Sequence, residues 1–210
     1  MDRRSFIAAA TAFTTLPSLV SAQSYDPAVV DALSRYLNTI TTMQGAFTQQ
    51  SPDGRIAEGE FFMKRPGKLR FEYFDPFPTV VIADGTWAGV INREAKTLNQ
   101  VPLSRTPLYL LLEDNIDLVA SGSIQSIERS EGVVKANAID PSNPGQGSIS
   151  MVFSTTPVQL LKWVITDEQG RSSVNSLRQV KRGQDIDPRK FVINDPNFEN
   201  NSRFNAGDTK

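Results

Sequence analysis

The sequence contains no cysteine and no histidine. The first absence removes disulfides, thiolate metal sites and the thiol nucleophile, and the second removes the commonest general base and the commonest transition-metal ligand. Hydrolase mechanisms built on a Ser-His or Cys-His pair are excluded with them, and no Gly-x-Ser-x-Gly stretch is present. No sign of charge dominates: 22 Lys and Arg stand against 23 Asp and Glu, without a basic block. Nucleic-acid binding is carried by clustered cations, so no nucleic-acid partner is expected. What remains is 210 residues, 39% hydrophobic, with 13 Gly and 13 Pro, the ordinary composition of one globular domain.

The first 22 residues stand apart. Arg3-Arg4 precede an apolar, small-residue stretch from Phe6 to Val20, which ends in the small-x-small pattern Val20-Ser21-Ala22. The stretch is shorter than the roughly 20 residues needed to span a bilayer, so it reads as a cleaved secretory signal over 1–22. No cysteine follows the cleavage point, so the product is expected to carry no lipid anchor of its own. Arg3-Arg4-Ser5-Phe6 also resembles a twin-arginine motif, with Asp2 and Ala8 departing from it, and export by either the Sec or the twin-arginine route fits.

The remainder, 23–210, opens with its one strong helix signal. Asp26 is a good N-cap and Pro27 a good first helical residue, and they lead into an apolar stripe of Val30, Leu33, Leu37 and Ile40 that Met43 extends. After Gly45 the texture changes to short segments of period two: 46–50, 56–65, 69–74, 79–83, 86–92, 97–101, 123–129, 133–139, 148–154, 159–166, 172–181 and 190–193. Asp53-Gly54, Asp84-Gly85, Glu131-Gly132 and Gln169-Gly170 are hairpin turns between them. These predict an antiparallel meander, interrupted by a second short helix over 106–115 and an exposed loop over 140–146, with a frayed tail from Phe198. The fold is mainly β with a few helices, too few to cover one whole face of such a sheet.

The hairpin at Arg65-Pro66-Gly67-Lys68 fixes which side chains share a face. A two-residue turn mixes Phe61 and Met63 with Arg70 and Glu72. A three-residue loop, pairing Arg65 with Leu69, gathers Phe61, Met63, Leu69, Phe71 and Tyr73 on one face and Glu60, Lys64, Arg70 and Glu72 on the other. The second register segregates polarity and is the expected one. Arg65 is then a lone cation at the rim of an apolar face, needing hydrogen-bond partners or an anion, unless it snorkels into water from the sheet edge.

Gly45-Ala46-Phe47-Thr48-Gln49, Gly59-Glu60-Phe61, Lys64-Arg65-Pro66-Gly67-Lys68-Leu69-Arg70-Phe71-Glu72-Tyr73 and Asp84-Gly85 resemble, in order and spacing, the N-terminal half of the LolA family of periplasmic outer-membrane lipoprotein carriers. Lys190-Phe191-Val192-Ile193 is similar to the family's last strand, and the first helix lies where the family has its first lid helix. The resemblance implies an open antiparallel half-barrel of about eleven strands under an α-helical lid, with a hydrophobic cavity between sheet and lid that takes acyl chains. It implies a carrier domain over 23–210, located in the periplasm, without catalytic residues, metal or cofactor, and monomeric. Its partners would be acylated lipoproteins, an inner-membrane ABC-type exporter that loads it and an outer-membrane receptor that unloads it. On this reading Leu33, Leu37, Phe61, Met63, Leu69, Phe71, Tyr73 and Trp87 line the cavity, and Arg65 closes the lid by hydrogen-bonding its backbone.

Three other readings compete. The same apolar residues serve equally as plain core, and a lipid-sensing module is built from related half-barrels. A carboxylate-pair hydrolase needs no histidine, and Glu58 and Glu60 share a strand face, although alternating carboxylates on a strand are usually solvated. The leader reading has a direct check: N-terminal sequencing of the exported protein should return Gln23 first, and a membrane-retained chain still carrying Arg3 and Arg4 would overturn it.

Overall fold

The computed structural model describes residues 25–193 and 199–200. The expected leader and most of the expected frayed tail lie outside the described residues. Helix α1, Pro27–Asn38, starts where the sequence places it, with the Asp26 carboxylate accepting from the Ala28 N–H at 3.0 Å. It stops earlier than the apolar stripe. Thr39 caps it, its hydroxyl donating to the Tyr36 carbonyl, and Met43 belongs to the first strand instead.

Among the described residues twelve strands follow: β1 Thr42–Gln50, β2 Ile56–Lys64, β3 Lys68–Tyr73, β4 Thr79–Asp84, β5 Trp87–Asn92, β6 Thr97–Pro102, β7 Ile124–Ser130, β8 Val133–Ala138, β9 Ser148–Thr155, β10 Val158–Thr166, β11 Ser172–Arg182 and β12 Glu199–Asn200. The four expected turn glycines, Gly54, Gly85, Gly132 and Gly170, all have positive φ between consecutive strands. The sheet is open and mainly β, ordered β12-β6-β5-β4-β3-β2-β1-β11-β10-β9-β8-β7. It is not the single meander of neighbours that the turn signals predict. Two meanders, β1 to β6 and β7 to β11, are joined by the antiparallel pairing of β1 with β11. Consequently β6 and β7, adjacent in sequence, lie far apart across the sheet, and residues 103–123 must cross from one side to the other.

That crossing covers the inner face of the sheet together with α1. It holds a 3-10 turn, Leu103–Arg105, and the one-turn helix α2, Tyr109–Leu112. The apolar residues of α1, of the crossing and of the inner strand face form one continuous core. On the outer face a smaller cluster of Val80, Ile82, Ile91 and Leu98 is covered by Ile193. The segment expected as a last strand over Lys190–Ile193 is instead a 3-10 turn, Pro188–Phe191, followed by extended chain. Its polar contacts run to side chains of the outer face rather than along a strand edge: Arg70 donates to the Lys190 carbonyl at 3.2 Å, and the Lys190 ammonium sits 3.9 Å above the Phe62 ring. Two residues of the expected frayed tail, Glu199 and Asn200, pair in parallel with Thr97 and Leu98.

In the β2–β3 hairpin the faces segregate as expected and the loop keeps three residues, but it sits one residue earlier in the chain. Met63 faces Leu69, Phe61 faces Phe71 and Lys64 faces Lys68, leaving Arg65-Pro66-Gly67 as the loop. Arg65 does not pair with Leu69 because its N–H is taken by the Thr41 carbonyl at 2.8 Å, while Gly67 turns the chain with φ 73°.

Gly59 faces Phe47 across β1 and β2, and there is no room for a side chain: a Cβ would lie 2.1 Å from the Glu72 carbonyl oxygen and 2.6 Å from the Phe47 ring. Gly59→Ala should therefore lower stability by about 1–3 kcal/mol in a denaturant titration. Gly145→Ala, where a Cβ meets nothing within 4 Å, should leave the midpoint unchanged.

Candidate functional site

The site is the space between α1, the crossing segment and the inner sheet face. From α1 come Leu33 and Leu37; from β2 and β3 come Phe61, Met63, Leu69 and Phe71, and all six lie in one buried cluster. Phe71 is the hub of its aromatic part: its ring meets Phe47 edge-on at 4.5 Å, Trp163 edge-on at 5.8 Å and Phe61 in a stacked pair at 6.1 Å. Tyr73 packs on the edge of the cluster, with its hydroxyl donating to Gln49 at 2.8 Å, and burial pushes its pKa up to about 12.

Trp87 does not join them. It begins β5 on the parity of Gly89 and Ile91, and those two face the outer cluster, Gly89 lying against Ile193. Ala88 is the β5 residue that packs on the inner core, and Trp87 is 38% exposed. Aromatic character pointed to the interior, but strand parity decides the face.

The expected cavity lining does not include Phe47, Trp163 or the three leucines Leu110, Leu111 and Leu112, all of them buried in the cluster. The parity of β1 and β10 holds the signal for the first two. The leucines come from α2, which turns its apolar side into the interior and so fills part of the space expected to be cavity. An opening remains beside α1. A cavity of about 360 Å3 lies between the first turns of the helix, at Val29 and Leu33, and the strand ends at Val133, Val134 and Val158, with Arg129 on its rim. Leu33 is the one residue of the expected set that lines it.

The closure above the core is polar. From the loop of the β2–β3 hairpin the Arg65 guanidinium spreads over the ends of both covering segments. It donates to the Leu37 carbonyl at the end of α1, to the Asn38 side chain at 3.2 Å, and to the carbonyls of Glu113 and Asp114 at 2.8 and 3.1 Å. Asn38 ties the same two segments a second time: its amide donates to the Ile116 carbonyl at 2.8 Å and its oxygen accepts from the Ile116 N–H at 2.9 Å. One turn earlier the buried Ser34 hydroxyl accepts from the Leu118 N–H at 3.1 Å, and beside Arg65 the Gly67 N–H donates to the Leu112 carbonyl at 2.8 Å.

Helix α2 is one turn long instead of spanning 106–115, because at Glu113 the chain turns extended, with ψ 150°. Beyond that turn the carbonyls of Glu113 and Asp114 accept from Arg65, the Leu112 carbonyl accepts from the Gly67 N–H, and the Ile116 N–H donates to Asn38. Burial pulls Arg65 below the usual guanidinium range, opposed by the charges of Asp114 and Glu113. Burial pushes the Glu113 carboxyl up, with Asp140 adding to the rise and Arg65 opposing it.

The carboxylates considered for catalysis lie elsewhere. Glu58 is on the outer face, accepting from Arg178 at 2.5 Å and from Thr48 at 3.4 Å, and Glu60 follows it on the same exposed parity of β2. Among the described residues no group of three or more Asp or Glu is placed to hold a metal ion.

Residues 38–194 match the family model of the outer membrane lipoprotein carrier protein LolA. A relative from Alkalilimnicola ehrlichii, named outer-membrane lipoprotein carrier protein, is 28% identical, the match covering 88% of this chain and 91% of the relative. One of the same name from Dechloromonas aromatica is 26% identical, covering 90% and 92%. Among solved structures, an uncharacterized conserved protein from Thermus thermophilus superposes with a TM-score of 0.52 at 12% identity, over 85% of this chain and 100% of that one, a likeness of fold alone.

Asn38→Ala removes both bonds to Ile116 and the one from Arg65, and should cost about 1–3 kcal/mol. Amide hydrogen exchange should show it locally, with faster exchange at Ile116 and unchanged protection in β1 and β2.

Proposed function

Because the chain belongs to the LolA family, we propose that it is a periplasmic carrier that shields the acyl chains of lipoproteins between its inner sheet face and its lid, taking them from an inner-membrane ABC-type exporter to an outer-membrane receptor. The observation that carries the reading is the contrast between interior and closure. The interior is hydrocarbon and aromatic ring, while its cover is held to the rim by one guanidinium and the short polar side chains Ser34 and Asn38.

A carrier has to bind and then release. Burying an acyl chain is worth about 0.8 kcal/mol per CH2, which makes a lipoprotein insoluble on its own and, in a permanently empty greasy cavity, nearly impossible to give up. Here Leu110, Leu111 and Leu112 already occupy the interior. Cargo displaces them, so hydrocarbon replaces hydrocarbon, and the transfer free energies largely cancel. The remaining difference is set by the closure: each charge-assisted bond from Arg65 to a lid carbonyl contributes about 1.5 to 3 kcal/mol to the empty, closed state. That energy opposes loading and is recovered on release, which keeps the two states within reach of each other. The cavity beside Leu33 is where an acyl chain can begin to replace the lid without breaking the whole closure first.

The test is transfer of a labelled lipoprotein. Arg65→Leu should keep or raise the fraction of cargo retained in a soluble complex and slow its transfer to the outer-membrane acceptor. Arg65→Lys should restore transfer only in part, since an ammonium cannot reproduce the planar fork that reaches both segments. Normal transfer by a stably folded Arg65→Leu protein would overturn this function of the closure.

A further inference from the structure

The strands β10 and β11 are joined over only half their length. Their pairing runs from Lys162 with Ser176 to Thr166 with Ser172. Beyond that, Val158–Leu160 pair with β9 and Leu177–Arg182 pair with β1, each on the side away from the other. Both strands are irregular at this point. Leu161 is the extra residue of a bulge against β9, and Gln179 and Val180 stand opposite Gly45 of β1, Gln179 with φ 52°. The sheet therefore splits into a cleft of about 300 Å3, open at the surface.

The cleft leads inward. At its inner end Leu160 and Leu177 belong to or pack on the main core, while at its outer lip Leu161 and Val180 are about two-fifths exposed. Between the two stands Tyr36 of α1, whose hydroxyl accepts from the Leu160 N–H at 2.9 Å and whose ring lies 5.4 Å under the Arg182 guanidinium. Thus a residue of the lid helix occupies one of the backbone donors that the parted strands leave unpaired.

Resting on the carrier reading, we propose that this cleft is the exit for the cargo's polypeptide: the extended residues that follow the lipidated one lie between β10 and β11 while the acyl chains occupy the interior. Lipidated cargo is part hydrocarbon and part peptide, and its peptide must leave a sealed apolar interior with its own N–H and C=O groups satisfied. Parted strands offer that backbone pairing, as an exposed sheet edge does, without requiring a particular sequence. On its lips Leu161 and Val180 suit apolar side chains of the peptide, while Gln159, Gln179 and Arg182 beside them suit polar ones. Because Tyr36 rides on α1, displacement of the helix on loading withdraws its hydroxyl and frees the Leu160 N–H for the peptide.

The absence of cysteine makes the test direct. Single thiols are introduced at the cleft by Leu161→Cys or Val180→Cys, and at other exposed apolar positions by Ile56→Cys on β2 or Val119→Cys on the lid. Each is mixed with a triacylated lipopeptide carrying one free cysteine about three residues after its lipidated end. Complexes are isolated by gel filtration and treated with a mild disulfide-forming oxidant. Cross-linking at Leu161→Cys and Val180→Cys at least about tenfold above the two other positions supports the exit. Retention of the lipopeptide with cross-links at Val119→Cys, or evenly at all four, overturns the cleft assignment alone. Failure of every variant and of the unaltered protein to retain lipopeptide overturns the carrier reading and the exit with it.

Discussion

One guanidinium holds the two halves of the cover together. The lid consists of α1 and the 103–123 crossing, which are separated in sequence by β1 to β6 and by the hairpin that carries Arg65. Arginine suits the position because its donors spread in a fixed plane, so one side chain satisfies carbonyls at the end of α1 and carbonyls after α2 at once. The Leu37 carbonyl, in the last turn of α1, is shared with the Ile40 N–H, and the Glu113 and Asp114 carbonyls follow α2. The cost of burying part of the guanidinium, visible in its lowered proton affinity, is offset by these bonds only while both segments are in place. Closure is therefore cooperative: lifting either segment leaves Arg65 under-satisfied and loosens the other.

The apolar interior and the polar closure answer different requirements. Packing of Leu110, Leu111 and Leu112 helps cover a sheet face that the few helices cannot cover alone. Hydrogen bonds are directional where packing is graded, so they fix how the cover sits on the packed interior. The outer face follows another rule again, with its small cluster covered permanently by the chain around Ile193.

Much of this was legible in the residues. Asp26-Pro27 marked the start of α1, four glycines marked four turns, and the separation of Phe61, Met63, Leu69 and Phe71 from Arg70 and Glu72 fixed the faces of β2 and β3, all properties of neighbours in sequence. The position of Arg65 at the rim followed from the same parity. The join of β1 to β11 was not legible, because short antiparallel signals rank strands by proximity in sequence and carry nothing about distant partners. Trp87 was misplaced by weighing its aromatic ring above its position in the alternation. The length of α2 and the roles of Ser34 and Asn38 depend on carbonyls and amides that come together only in the folded chain. No periodicity encodes them.

The β1–β11 junction also bears on how the protein comes to be folded. Each meander grows by local hairpins, which close quickly, but β1 finds its second neighbour only when β11, near the end of the described chain, is available. Until then the first meander presents the inner faces of Phe47, Phe61 and Phe71 without Trp163 beside them. A chain that emerges N-terminus first therefore passes through a half-sheet whose most adhesive surface is the one it later covers with α1 and the crossing, and the step that ends this vulnerability is a single long-range pairing.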